Sequence, residues 1–188
     1  MSFFPIYLNL ENKKILIVGG GNIALRKLKK VLEFSTNIEI ISKDFLNEFI
    51  KLANQYNLKL IKREFRDSDL DRFNIIIVAT NSIELQKDIY FKSRDRNILI
   101  NSVDSTKYCD FIFPSYIKKG DLLISISTNG IAPTISKLLK KHIEKIIPSN
   151  IDTFLKEMKI LRKSIPKGEK RIKLFRMKSR EFIKEYFV

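Results

Sequence analysis

The chain has 188 residues, 44% of them hydrophobic, and a formal net charge of +15 at pH 7. This length and apolar content suit one domain with a smaller appendage, and the charge predicts attraction to something anionic, although compositional drift towards Lys gives the same value. No apolar run approaches the roughly 20 residues that span a bilayer, the first residues lack the pattern of a secretory leader, and a single cysteine excludes an internal disulfide framework. We therefore expect a cytoplasmic protein without a membrane partner.

The first predicted elements are a strand, a glycine turn and a helix. An apolar run at residues 14–18 stops at three glycines, and a basic amphipathic segment follows over about residues 22–34. Gly19, Gly21 and Ala24 have the G-x-G-x-x-A spacing of a dinucleotide-binding turn. The alternative is a glycine turn that closes a strand and binds nothing.

Such a turn binds a cofactor through its backbone. Gly19 allows the sharp bend off the strand, and Gly21 lets the backbone approach a pyrophosphate without a Cβ in the way. The helix N-terminus then offers unpaired N–H groups and a positive dipole end to the phosphates.

The second strand, residues 37–41, leads to Lys43 and Asp44. An acidic residue about 20 positions beyond the glycine turn usually binds a ribose hydroxyl, and Asp44 has that offset. Lys43 could instead meet a 2′-phosphate, so NAD and NADP both stay open. Asp44 could also cap the next predicted helix, residues 45–56.

Three further strands complete the predicted sheet, at residues 58–62, 74–79 and 97–101. Thr80 and Asn81 follow the middle one, and ligands of parallel sheets bind outside the carboxyl ends of the strands. Both residues are therefore candidate cofactor neighbours, or else caps of the helix predicted over residues 83–93.

The alternation of strands and helices predicts a Rossmann-like, doubly wound parallel sheet in an NAD-binding domain at residues 1–113. The pattern then changes to two strands and a helix, at residues 111–117, 122–128 and 134–147. This segment, residues 114–148, is too small for a core of its own, and a second copy of the chain is its simplest partner. A basic helical region at residues 149–188 completes the expected architecture.

Two places in the sequence could carry chemistry. Asp104 follows the last sheet strand, near the expected nicotinamide, where a carboxylate can take a proton as hydride leaves; an Asx turn is the alternative. Ser127 and Thr128 precede a predicted helix and could form an anion pocket or simply cap that helix. His142 and Cys109 are the only residues of their kinds, too few for a transition-metal site. We expect His142 at a helix surface or an interface, and Cys109 as a small buried apolar residue.

Six stretches, taken in order, resemble one family. They are residues 4–8, 18–24 with the Arg-Lys pair behind them, 78–81, 101–104, 110–115 and 126–133. The set resembles the precorrin-2 dehydrogenase family, which includes the N-terminal part of siroheme synthases, over roughly residues 3–148. The resemblance implies NAD-dependent oxidation of precorrin-2 to sirohydrochlorin, on the route to siroheme, by a homodimer built through the middle segment.

The resemblance also implies roles for individual residues. Asp104 matches the family's catalytic aspartate. The cofactor contacts match Asn22, Ile23, Lys43 and Asp44. The substrate pocket matches Ser127 and Thr128, and Asn101 is a further predicted substrate contact. Asn81 departs from the family, which often has an acidic residue there.

Two alternatives remain open. In some family members the same site also inserts ferrous iron, so a bifunctional dehydrogenase and ferrochelatase is the first. The more distant one is a non-catalytic Rossmann module that binds nucleic acid through its basic tail. The regular apolar spacing in that tail is typical of packed helices, and we therefore expect no nucleic-acid partner.

Overall fold

The computed structural model describes residues 3–103 and 105–187, and the chain divides into two compact units, residues 1–112 and 113–188. In the first unit the strands are β1 (Ile15–Val18), β2 (Ile38–Ser42), β3 (Lys59–Lys62), β4 (Ile75–Val78) and β5 (Leu99–Ser102). The α-helices are α1 (Asn22–Leu32), α2 (Asn47–Gln55) and α3 (Ile83–Lys92). Short 3₁₀ segments lie at Asp67–Arg72, Arg94–Arg96 and Thr106–Tyr108.

The five strands form one parallel sheet in the order β3-β2-β1-β4-β5. β1 and β4 are buried at every position because the sheet is covered on both faces, which is why their sequences are continuous apolar runs. Val18 pairs with Ile41 and Val78, and Val78 pairs with Ser102, so the carboxyl ends of four strands meet at one edge. The predicted fold class is confirmed.

Element ends differ from the prediction for local reasons. β5 begins at Leu99 instead of residue 97, because Asn97 takes a left-handed conformation with φ 51°. The following strand begins at Ser115 instead of residue 111, directly after Pro114, which cannot donate to a ladder.

The second unit is a hairpin covered by helices. β6 (Ser115–Lys119) pairs antiparallel with β7 (Leu122–Ile126), followed by α4 (Pro133–Ile146), α5 (Ile151–Ser164) and α6 (Glu169–Phe187). Its core joins Ile117 of the hairpin to Ile151 and to Phe182 of the last helix. The Phe182 ring stacks on Phe154 at 4.2 Å. The predicted tail is therefore helical and packs through its apolar residues.

In the described ranges, none of the helices is both long and apolar enough to cross a membrane.

Candidate functional site

The bend after β1 requires glycine at its first position. Gly19 has φ +126°, a region that L side chains rarely adopt. A Cβ there would lie 2.3 Å from the carbonyl oxygen of Ala79, which follows β4. The turn therefore leaves the sheet in close contact with the neighbouring strand.

The third glycine faces open space. Gly21 is the N-cap of α1 with an ordinary extended backbone, φ −90° and ψ −173°. Within the described part of the chain, no heavy atom outside its immediate neighbours lies within 4 Å of the position of a Cβ. The first turn of α1 carries no acidic residue. An exposed helix N-terminus with room above it suits a phosphate group, so these residues fit a dinucleotide.

Gly20 was not singled out by the motif, yet it is the most tightly packed of the three. A Cβ there would lie 2.1 Å from the carbonyl oxygen of Asp44. The carbonyl of Gly20 also accepts the N–H of Leu46 at 3.2 Å. These contacts fix the loop after β2 against the glycine turn.

Lys43 and Asp44, which follow β2, form with their partners Glu64 and Lys62 a charged rim beside the glycine turn. Asp44, whose side chain is 86% exposed, pairs with Lys62 at 3.1 Å, while Lys43 pairs with Glu64. The hydrogen bond to Glu64 raises the pKa of Lys43, and the same bond lowers the pKa of Glu64. The capping alternative for Asp44 is wrong, because Leu46 is the N-cap of α2.

The segment after β4 contains polar atoms with unused hydrogen-bonding capacity. Asn81 is exposed, and Ser82 rather than Thr80 or Asn81 caps α3, its Oγ accepting the N–H of Leu85 at 3.2 Å. The Oγ1 atom of Thr80 is buried without a hydrogen-bond partner among the described residues. A missing partner at the carboxyl end of a central strand suits a polar ligand.

Gln86 was not predicted from the sequence as part of the site. It is fully buried, and its Nε2 donates to the carbonyl of Thr80 at 2.8 Å, which orients the segment after β4. Its burial could have been predicted, because Gln86 lies three positions before the apolar Ile89 and therefore on the same buried face of α3.

The end of β5 holds a buried polar network. Asn101 is 3% exposed, and its Nδ2 donates to the carbonyl of Phe111 at 2.8 Å. Its Oδ1 accepts from the Nζ of Lys27 at 3.2 Å. The amide of Asn101 thus already has internal partners on both sides, and its role as a substrate contact stays a prediction. The predicted base, Asp104, lies outside the described residues.

Cys109 joins this network. The sequence predicts a small buried apolar residue, and the side chain is buried, but it also takes part in hydrogen bonds. Its Sγ accepts the N–H of Ser102 at 3.1 Å and lies 3.2 Å from the carbonyl oxygen of Ser105. Burial raises the pKa of the Cys109 thiol, while the Ser102 N–H and the charge of Lys27 act in the opposite direction.

An ion pair closes the loop that follows. Arg94 binds both oxygens of Asp110, at 2.7 and 2.8 Å, and Asp110 also accepts the N–H of Ile100 at 2.8 Å. Burial works against ionisation of Asp110, but these bonds outweigh it and lower the pKa of that carboxyl.

The predicted substrate pocket lies in the second unit. Ser127 is exposed, and its Oγ accepts the N–H of Asn129 at 3.0 Å. Thr128 Oγ1 accepts the N–H of Ala132, the N-cap of α4, at 3.1 Å. Thr128 therefore supports the start of α4, whereas Ser127 shapes the preceding turn.

Metal-ligating side chains do not cluster in the part of the chain that the structure describes. His142 is an exposed residue of α4, as expected for a helix-surface position.

Comparison with known proteins places the chain in a family. A family model described as "Putative NAD(P)-binding" matches residues 6–115. The chain belongs to this family. A second family model, described as "Sirohaem biosynthesis protein central", matches residues 119–146 of the same chain. The predicted dinucleotide-binding class is thereby confirmed.

Two curated relatives are named siroheme synthase. The siroheme synthase of Baumannia cicadellinicola subsp. Homalodisca coagulata is 33% identical over 148 residues, which cover 79% of this chain and 32% of that protein. The siroheme synthase of Acinetobacter baylyi is 36% identical over 149 residues, covering 79% and 33%. The chain spans about a third of the length of these relatives. Their names confirm the resemblance found in the sequence.

A solved structure of SirC, precorrin-2 dehydrogenase, shares the fold. Its TM-score is 0.75 at 23% sequence identity, and the match covers 90% of this chain and 85% of that one. The likeness confirms the fold class, including the helices of the second unit.

Proposed function

We propose that the chain catalyses the NAD-dependent dehydrogenation of precorrin-2 to sirohydrochlorin. The observation that carries the proposal is the succession, in one chain, of the NAD(P)-binding match and the sirohaem-biosynthesis match. The relatives named siroheme synthase and the structural likeness to a precorrin-2 dehydrogenase support the same reaction.

The first unit would hold the cofactor. Gly19 and Gly21 would leave room for its pyrophosphate, and the N–H groups of Asn22 and Ile23 would donate hydrogen bonds to it. Asp44 and Lys43 would bind the adenosine ribose. Thr80 and Asn81 would contact the nicotinamide half, to which the Oγ1 of Thr80, without a partner among the described residues, would offer a hydrogen-bonding group.

The reaction removes a hydride and a proton from the substrate. NAD, when bound, would supply the acceptor for the hydride and its two electrons, so that NADH would be the second product. Asp104, which follows β5, accepts the proton and later releases it to water. Ser127 and Thr128 contact the tetrapyrrole. Because this substrate carries many carboxylates, the net charge of +15 favours its approach.

Anaerobic turnover tests this function. Precorrin-2, made enzymatically without oxygen, is mixed with the protein and NAD, and NADH and the tetrapyrrole spectrum are followed together. We expect NADH and sirohydrochlorin to appear in equal amounts. NAD binding without turnover would refute the substrate, and no binding of NAD would refute the cofactor site as well.

A homodimer through residues 114–148 is part of the proposal. On α4, Ile135, Leu138 and Leu139 are 45–61% exposed, and only Ser136 of that helix is buried. Such an apolar helix face is more stable against a second copy of itself than in water.

Ferrous iron is the remaining substrate candidate. An assay with sirohydrochlorin and Fe²⁺ but without NAD distinguishes iron insertion from dehydrogenation. A metallation rate above the spontaneous one would show that the chain is bifunctional. A rate equal to the spontaneous one would mean that the chain is a dehydrogenase only.

A cytoplasmic location stays a prediction.

A further inference from the structure

Lys27 reaches across the sheet to β5. It lies in the second turn of α1, which follows β1, whereas Asn101 lies in β5, and β4 separates the two strands. The half-buried side chain of Lys27 spans this distance and donates to Asn101 Oδ1 at 3.2 Å. By contrast, Lys29 of the same helix pairs on the surface with Glu48 at 2.6 Å.

The amide of Asn101 has a fixed orientation. Its Nδ2 donates to the Phe111 carbonyl at 2.8 Å and lies 3.7 Å from the sulfur of Cys109, so its Oδ1 must face Lys27. A side chain that is 3% exposed, with both polar atoms bonded, cannot turn without breaking buried hydrogen bonds. The bond from Lys27 therefore acts on the rigid end of β5.

The same network includes residues on both sides of Asp104 in sequence. Cys109 contacts Ser102 and Ser105 on either side of the segment that contains Asp104 in sequence. Asn101 contacts that cysteine and the backbone of the returning chain at Phe111. A shift of Asn101 would therefore be transmitted to Ser102 and Ser105, which flank the predicted base in sequence.

We propose that Lys27 and Asn101 form a positioning pair for the reaction, in which Lys27 acts through Asn101 and Cys109 on the residues that flank Asp104 in sequence. The proposal rests on the proposed dehydrogenase function. Neither side chain needs to touch the substrate, because a displacement of about 1 Å at a reacting group is enough to slow turnover strongly.

A double-mutant cycle on the full chain tests the pair. The variants are Lys27→Met, which keeps the length of the side chain, Asn101→Leu, which keeps its volume, and both together. We expect each single variant to lower kcat at least about tenfold with the KM for NAD unchanged. Because the two residues act in series, the double variant should be no slower than the slower single one.

Two further variants separate positioning from stability. Lys29→Met removes a charge from the same helix and should keep wild-type kcat. Lys27→Arg keeps a donor and should recover most of the activity. Thermal midpoints and the Kd for NAD, measured on every variant, should stay near the wild-type values for both Lys27 variants.

Several outcomes would overturn the pair. These are wild-type kcat in Lys27→Met, multiplied losses in the double variant, a loss of kcat that follows the thermal midpoint, or a raised KM for precorrin-2 at unchanged kcat. The last would make Lys27 a substrate contact. The wild-type protein is assayed first: if it binds NAD but forms no NADH, the proposed function fails and the pair with it.

Discussion

Gly21 gives a direct test of the cofactor site. In Gly21→Ala the new methyl group would project into open space from a backbone that alanine tolerates, so the fold should be kept. The loss of a glycine N-cap should lower the free energy of unfolding by at most about 1 kcal/mol. The thermal midpoint should therefore fall by no more than about 2–4 °C.

The effect on NAD should be much larger. The methyl group would occupy the space through which a pyrophosphate approaches the helix N-terminus. Losing one hydrogen bond to a charged group costs about 1.5–3 kcal/mol, which corresponds to roughly 10–100-fold weaker binding. Isothermal titration calorimetry measures this Kd directly.

Gly20→Ala is the matched control, with the same added methyl group one residue earlier. Its Cβ would lie 2.1 Å from the carbonyl oxygen of Asp44, so the backbone must move. Such overpacking should lower the free energy of unfolding by about 1–3 kcal/mol, or the thermal midpoint by roughly 2–12 °C.

One result would refute this reasoning about Gly21. If Gly21→Ala binds NAD within twofold of wild type at an unchanged midpoint, no pyrophosphate lies over Gly21 and our placement of the cofactor is wrong.

Three other predictions concern single side chains. Asp104→Asn should bind NAD normally and lose turnover in the anaerobic assay; full activity would remove Asp104 from the mechanism. Asp69, 1% exposed, accepts two hydrogen bonds from Arg63 at 2.7 and 2.8 Å; burial opposes its ionisation, but these bonds outweigh it and lower its pKa. Asp69→Asn should therefore lower the free energy of unfolding by about 3 kcal/mol at pH 7. In urea titrations, the difference from wild type should shrink as the pH falls below about 3.9 towards the lowered pKa. A difference that stays constant with pH would contradict the ion pair. Leu138→Lys should convert the proposed dimer to a monomer in light scattering, with Lys137→Glu, on an already polar position of α4, as a control that stays dimeric.

The sheet could be predicted from the sequence because each signal was local. β1 and β4 are uninterrupted apolar runs, and the glycine spacing lies within six residues. Gly20 could not be singled out in the same way, since its need for glycine comes from the carbonyl of Asp44, 24 positions away. Only the folded chain brings these two backbones together.

Polar residues at strand ends were harder to interpret. Asn101 and Thr80 occupy equivalent places in the sequence, each after an apolar run, and both were predicted to meet ligands. In the structure Asn101 is bonded on both sides within the chain, whereas the Oγ1 of Thr80 has no partner among the described residues. What separates them is the long reach of Lys27 from α1, which no periodicity in the sequence reveals.

The rim beside the glycine turn favours NAD over NADP. Lys43 and Lys62 are the cations next to Asp44, and each already has a carboxylate partner, Glu64 and Asp44 respectively. A 2′-phosphate would bring about two negative charges against the exposed carboxylate of Asp44 and would have to displace those pairs. A ribose 2′-hydroxyl instead donates to that carboxylate without disturbing either lysine. We infer that Asp44 determines the preference, since both lysines beside it are already paired and its own carboxylate remains exposed.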